Sequence, residues 1–185
     1  MLERIIIAGA GGQGIMLLGK VLALSALNKG YNISWFPSYG AEVRGGTAYC
    51  MVVISLGEIA SPYIDEADSL IIMNEPSLFK FGERLKNKGL MLINSSLINN
   101  AKQKSTRKKA AQDTKGIYLP LTQTAIRLGN IRTANMVALG AYAAKKRIFR
   151  RGVIFKAIQE IAPPNRKNLI PINKQAIQEG MRLAR

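Results

Sequence analysis

A short apolar run, Ile5-Ile6-Ile7-Ala8, leads into Gly9-Ala10-Gly11-Gly12-Gln13-Gly14, and a second apolar stretch follows over residues 15–24. The first run has the length and branching of a buried strand. The second is too long and too apolar for a loop and reads as a helix. Strand, glycine turn and helix in that order commit the chain to an α/β architecture, and only in that setting does the spacing G-x-G-x-x-G carry meaning. Glycines there allow a tight turn and bring backbone N–H groups close to an anion. The helix start adds unpaired donors and a partial positive charge. Two readings stand side by side: a loop that holds phosphate or pyrophosphate, and a βα turn that only packs.

A dinucleotide site makes a further demand. It places an acid at the end of the second strand, about 20 residues on, to hold the ribose hydroxyls. The second strand here spans residues 31–36 and ends in Pro37-Ser38, with no acid. Glu42 is the first acid after the glycine turn, and it lies beyond the strand. This weakens the case for NAD and leaves room for another anion or for a partner chain.

The decapeptide from Pro37 to Gly46 has neither helical nor strand period. It combines Ser38, Tyr39, Glu42 and Arg44 with Gly45 and Gly46. Leaving the carboxyl end of strand two, it would lie on the sheet edge where open α/β folds bind ligands. Arg44 offers a fork for carboxylate or phosphate, and Gly45-Gly46 permits close backbone approach.

Further along, residues 47–55 alternate as a strand, residues 59–62 read as a shorter extended piece, and residues 69–73 form a buried strand. A helix is expected from Asn74 to about Arg84, with Pro76 in its first turn, and then a strand over residues 90–94. Residues 99–115 carry Lys102, Lys104, Arg107, Lys108, Lys109 and Lys115 against Asp113 alone. A short edge strand at residues 117–120 precedes a helix capped by Thr122 and stopped at Gly129-Asn130. Residues 133–146 show a small-residue face (Ala134, Ala138, Ala141, Ala144) that suits close packing on the sheet. Helices over residues 153–161 and from Pro171 onward end the chain, the last with a stripe of Ile172, Ala176, Ile177 and Met181. No repeat or linker splits residues 1–185, so one domain is expected.

Composition narrows the chemistry. The chain has no histidine, and Cys50 is its only cysteine. One thiol cannot by itself hold an iron–sulfur cluster or a structural zinc, so no metal site is expected and any redox centre belongs to another chain. Cys50 lies within an apolar strand and reads as a buried, inert thiol. No catalytic residue is marked. A net charge of +16 favours anionic partners. The basic residues lack interleaved aromatics, so nucleic acid is not expected. No secretory signal or membrane-spanning run is read from the sequence, and a cytoplasmic location follows.

The glycine loop, Pro37-Ser38-Tyr39-Gly40 with Glu42 and Arg44-Gly45-Gly46-Thr47-Ala48, Ser61-Pro62, Asn94-Ser95-Ser96 and Ala134-Asn135-Met136-Val137-Ala138-Leu139-Gly140 together resemble the gamma subunit of the 2-oxoacid:ferredoxin oxidoreductases. The resemblance implies a Rossmann-like three-layer sandwich, with a mostly parallel sheet and helices on both faces. It also implies a subunit inactive alone, working with alpha and beta partners, with or without delta. The complex decarboxylates a 2-oxoacid to acyl-CoA and reduces ferredoxin or a similar acceptor. Thiamine diphosphate, Mg and iron–sulfur clusters are expected on the partner subunits, and none on this chain. Coenzyme A is a substrate, and the loops expected to face it or another ligand carry Gly9, Gly11, Gly12, Gln13, Gly14, Ser38, Tyr39, Glu42, Arg44, Gly45 and Gly46. The second loop is more similar to 2-oxoglutarate and branched-chain members than to pyruvate members. The competing reading is a freestanding nucleotide-binding protein of the same fold class.

Overall fold

The alternation of β1 (Leu2–Ala10) divides the core in two. Ile5 and Ile7 turn to one side of the sheet, Ile6 and Ala8 to the other, and all four are fully buried. The computed structural model describes residues 1–38, 47–98 and 116–185. Beside β1 they form β2 (Asn32–Ser38), β3 (Thr47–Ser55), β4 (Ala67–Ile72), β5 (Leu85–Asn94) and β6 (Ile117–Leu119). The six join one sheet in the order β2-β3-β1-β4-β5-β6. β1, β4, β5 and β6 are parallel, while β3 pairs antiparallel with both β1 and β2. All strands but β3 therefore point the same way.

The helices are α1 (Ile15–Leu27), α2 (Glu75–Phe81), α3 (Leu121–Arg127), α4 (Ala134–Lys146), α5 (Arg151–Ile161) and α6 (Ile170–Leu183). Helices lie on both faces, as expected, but unequally. One face, with Ile5, Ile7, Val52, Ile54, Ile71 and Leu92, is covered by α1 and α3 to α6. The other, with Ile6, Met51, Val53, Leu70 and Ile72, meets Phe81 of α2 together with Ile64, Leu85 and Ile98.

β1 and β2 are not neighbours, because β3 lies between them. Other details depart from what the sequence predicts. Residues 59–62 form no strand. Ser61 Oγ instead accepts the Tyr63 N–H at 3.1 Å, a turn that competes with ladder bonding. The helix expected to reach Arg84 stops at Phe81 and tightens into a 3-10 turn, Gly82–Arg84. β5 starts at Leu85, before the residue 90 expected, because its register against β4 shifts over residues 86–89, where Lys88 takes a φ of 63°. Thr122 does not cap α3 but lies inside its first turn.

The small residues of α4 serve a helix more than the sheet. Added Cβ atoms show this most sharply: on Gly140 one would run into the backbone of Ile177, and on Gly180 into that of Val137. α4 and α6 thus cross backbone to backbone, and every residue from Ala134 to Ala143 is buried. At the amino end of β1, Glu3 is buried and accepts from Ser69 Oγ (2.7 Å), Tyr142 Oη (3.2 Å) and Lys146 Nζ (2.8 Å). Lys146, in the last turn of α4 where a cation complements the helix dipole, is thus also an ion-pair partner. No helix among the described residues is long and apolar enough to cross a membrane.

Candidate functional site at the carboxyl edge of the sheet

The strands β1, β4 and β5 end on one edge, and side-chain amides tie their ends together. Gln13 Oε1 accepts the Ala10 N–H at 2.7 Å, which closes the glycine turn, and Gln13 Nε2 reaches Met73 O at 3.5 Å. Asn94, fully buried at the end of β5, donates to the same Met73 carbonyl (3.2 Å) and to Thr122 Oγ1 (2.8 Å). Its Oδ1 accepts the N–H groups of Ser96 (3.3 Å) and Thr122 (3.2 Å). The hydroxyl expected to cap α3 is thus occupied by Asn94, whose own carbonyl takes an N–H of the first turn.

The glycines of the turn divide by physical role. Gly14 is the N-cap of α1 with φ 73°, a left-handed conformation that only glycine adopts without strain. Its carbonyl accepts both the Leu18 N–H and Asn135 Nδ2, each at 3.0 Å, and a Cβ here would strike that Asn135 amide. Gly9 is hemmed in by Gln13, by Ile15 Cδ1 and by Met73 Cβ, the last two 2.8 Å from where a Cβ would stand. Gly12 also has a positive φ, 84°, but nothing lies within 4 Å of an added Cβ. Gly11 and Gly12 are exposed. Gly9, Gln13 and Gly14 therefore build the turn, and Gly11 and Gly12 form its open face.

Asn135 lies in the first turn of α4, so its bond to Gly14 brings the starts of α1 and α4 together. Two helix N-termini then contribute positive potential to one spot, and neither has an acid in its first turn. Asn94 and Asn135 fall within the motifs that carry the family resemblance, yet motif and spacing alone mark neither as part of the site. An asparagine closing a strand, or opening a buried helix, was the available signal.

Ser38 ends β2 opposite Tyr49, and Ala8 flanks Tyr49 from the other side. Thr47 re-enters the sheet opposite Ala10. Both ends of segment 39–46 are thus anchored on the glycine-turn edge, although β3 separates them from a simple βαβ arrangement. Tyr39, Glu42, Arg44, Gly45 and Gly46 lie outside the described residues, as does the basic stretch 99–115. Cys50 lies under α1, fully buried, with its thiol directed to Ile15 O at 3.7 Å. Burial pushes its pKa up to about 12, partly offset by the Trp35 indole and the Gly19 backbone. It is therefore a thiol at neutral pH and a poor nucleophile or ligand. Among the described residues, no three of Cys, Asp and Glu gather as metal ligands.

An open α/β sheet with a glycine turn at the carboxyl edge of β1 defines a class of binding domain. The chain belongs to the pyruvate ferredoxin/flavodoxin oxidoreductase family, whose model matches residues 4–183. It is 34% identical over 186 residues to the 2-oxoglutarate synthase subunit KorC of Methanothermobacter thermautotrophicus, covering 97% of each chain. To the ketoisovalerate oxidoreductase subunit VorA of the same organism it is 32% identical over 188 residues. That match takes in 98% of this chain but only 36% of VorA, so the chain spans about a third of that relative. Among solved structures, the gamma subunit of a keto/oxoacid ferredoxin oxidoreductase from Geobacter sulfurreducens superposes with a TM-score of 0.81 at 28% identity, covering 98% of each chain.

Proposed function

We propose that this chain is the gamma subunit of a cytoplasmic, multi-subunit 2-oxoacid:ferredoxin oxidoreductase whose substrate is 2-oxoglutarate. The end-to-end match with KorC carries this reading, since VorA is similar over one part of a much longer protein. The identity to VorA supports a second reading in which the substrate is a branched-chain 2-oxoacid. In either case the chain is inactive alone. Alpha and beta partners bring thiamine diphosphate with Mg and the iron–sulfur clusters, which supply the decarboxylation and the electron path to ferredoxin.

This chain contributes the carboxyl edge. The exposed amides of Gly11 and Gly12, backed by two helix starts, suit the diphosphate of coenzyme A or a partner carboxylate. Arg44, in the segment that leaves and re-enters the sheet beside the turn, supplies the bidentate fork, with Glu42 as its internal partner. Gly9, Gln13 and Gly14 shape the turn, and Ser38, Tyr39, Gly45 and Gly46 complete the rim.

The test is a complex reconstituted with Arg44→Ala and assayed at limiting coenzyme A. The expected result is an intact complex with a raised KM for coenzyme A, which Arg44→Lys does not fully restore because it lacks the fork. Unchanged kinetics at limiting coenzyme A would remove the role given to Arg44.

A further inference from the structure

The opposite end of the molecule holds a second concentration of positive charge. A cavity of about 470 Å³ lies where the ends of α1, α4 and α6 meet the start of α5. It is bordered by Lys29, Arg147, Arg150, Arg151 and Arg185, with no Asp or Glu among the described residues of its lining. Phe149, with Ile148 and Met181, gives it an apolar part. Glu3, paired with neighbouring Lys146, marks the amino end of β1. The Glu3–Ala10 length of strand, roughly 23 Å, separates this end from the glycine turn. It is therefore a different place from the site described above.

Three observations point to an anion. Among the described residues, none of these cations forms an ion pair with a carboxylate; Arg151 instead lies 5.8 Å from the Phe155 ring. Arg147 ends α4 in the left-handed conformation (φ 54°), with its N–H on Ala143 O. Glycine would hold that position at lower backbone cost, so the guanidinium is placed there against conformational preference. Helix α5 then opens on Arg150, Arg151 and Gly152, with no acid in its first turn and no side-chain cap. Helix starts favour negative charge, and this one instead gathers arginines. Five exposed cations and the uncapped amides of α5 share one concavity; the carboxyl ends of α1, α4 and α6 offset part of their mutual repulsion, and an anion would relieve the rest.

We propose that this cavity binds a small molecule bearing a diphosphate group. The concavity is open to solvent, and its volume is large enough to admit a small molecule. Several guanidinium forks match several phosphate oxygens better than a single carboxylate does. The apolar part provides for a base or other planar group attached to the diphosphate.

Isothermal titration of the full chain at about 0.15 M salt, with inorganic pyrophosphate and with ADP, tests this. Saturable binding is expected, weakened tenfold or more in Arg147→Gly/Arg150→Ala. Glycine suits the Arg147 backbone, so this pair should remain folded; Arg150→Ala/Arg151→Ala, at exposed positions, is a second pair. Lys145→Ala/Lys167→Ala removes as much charge outside the cavity and should leave binding unchanged. Tighter binding of ADP would assign the base to the apolar part, and equal binding would assign recognition to the diphosphate alone. No saturable binding of either probe, or equal weakening in the control pair, would overturn the proposal.

Discussion

Gly12 and Gly14 look equivalent in sequence and share a positive φ, yet only Gly14 is also enclosed, by Asn135. Gly12→Ala should therefore cost only the left-handed backbone penalty, about 1 kcal/mol. Gly14→Ala adds a clash at a helix cap and should cost about 3 kcal/mol. Urea unfolding of both variants measures the difference, and equal losses would contradict this division of roles. The glycine motif was legible from spacing. Its partner Asn135 was not, because it comes from a helix 121 positions away and only tertiary packing brings it to the turn. Cys50 gives a second prediction at this scale. Its folded pKa, about 12, lies above the ordinary thiol value of 9.0, so its contribution is complete below pH 9 and declines as pH rises toward 12. The unfolded chain loses the proton first, and the slope is about 1.4 kcal/mol per pH unit within that window. Burial, and secondarily Glu3, also pushes the Tyr142 phenol well above its usual value, so that residue adds to the alkaline loss above pH 10. Cys50→Ala should flatten the decline in stability between pH 9 and 10, as measured by denaturant unfolding at each pH. An unchanged slope would contradict burial of the thiol.

Among the elements, β3 matches its sequence-based bounds, because Thr47 to Ser55 is a β-branched apolar run closed by a glycine turn. Its place between β1 and β2 went unread, although its direction was available in principle. A parallel return needs a crossover of a dozen or more residues, and segment 39–46 is too short for one, so β3 must run back against β2. The crossing of α4 and α6 was less accessible. The two glycines lie in separate helices, and neither helix pattern identifies its partner. Gly140→Ala gains helix propensity of up to about 1 kcal/mol but places a methyl against the Ile177 backbone. A net loss of about 2 kcal/mol is expected. A more stable Gly140→Ala variant by thermal unfolding would contradict the close crossing.

In the molecule as a whole, the core closes one sheet and leaves two ends of different character. The carboxyl end carries the glycine turn and both anchors of segment 39–46. The amino end carries the Glu3 cluster and the arginine-lined cavity. Net charge favours anionic partners without locating them, because charge has no periodicity that sequence can project onto a fold. The lack of histidine and of a second cysteine narrows the chemistry further, since too few ligands remain for an iron–sulfur cluster held by this chain alone. The function proposed above makes this chain a necessary subunit of a 2-oxoacid oxidoreductase. The direct measurement is coenzyme A-dependent reduction of ferredoxin with 2-oxoglutarate, by alpha and beta partners co-expressed with or without this chain. Turnover is expected only when this chain is present, with none from the chain alone. Equal turnover by the partners without it would contradict the assignment.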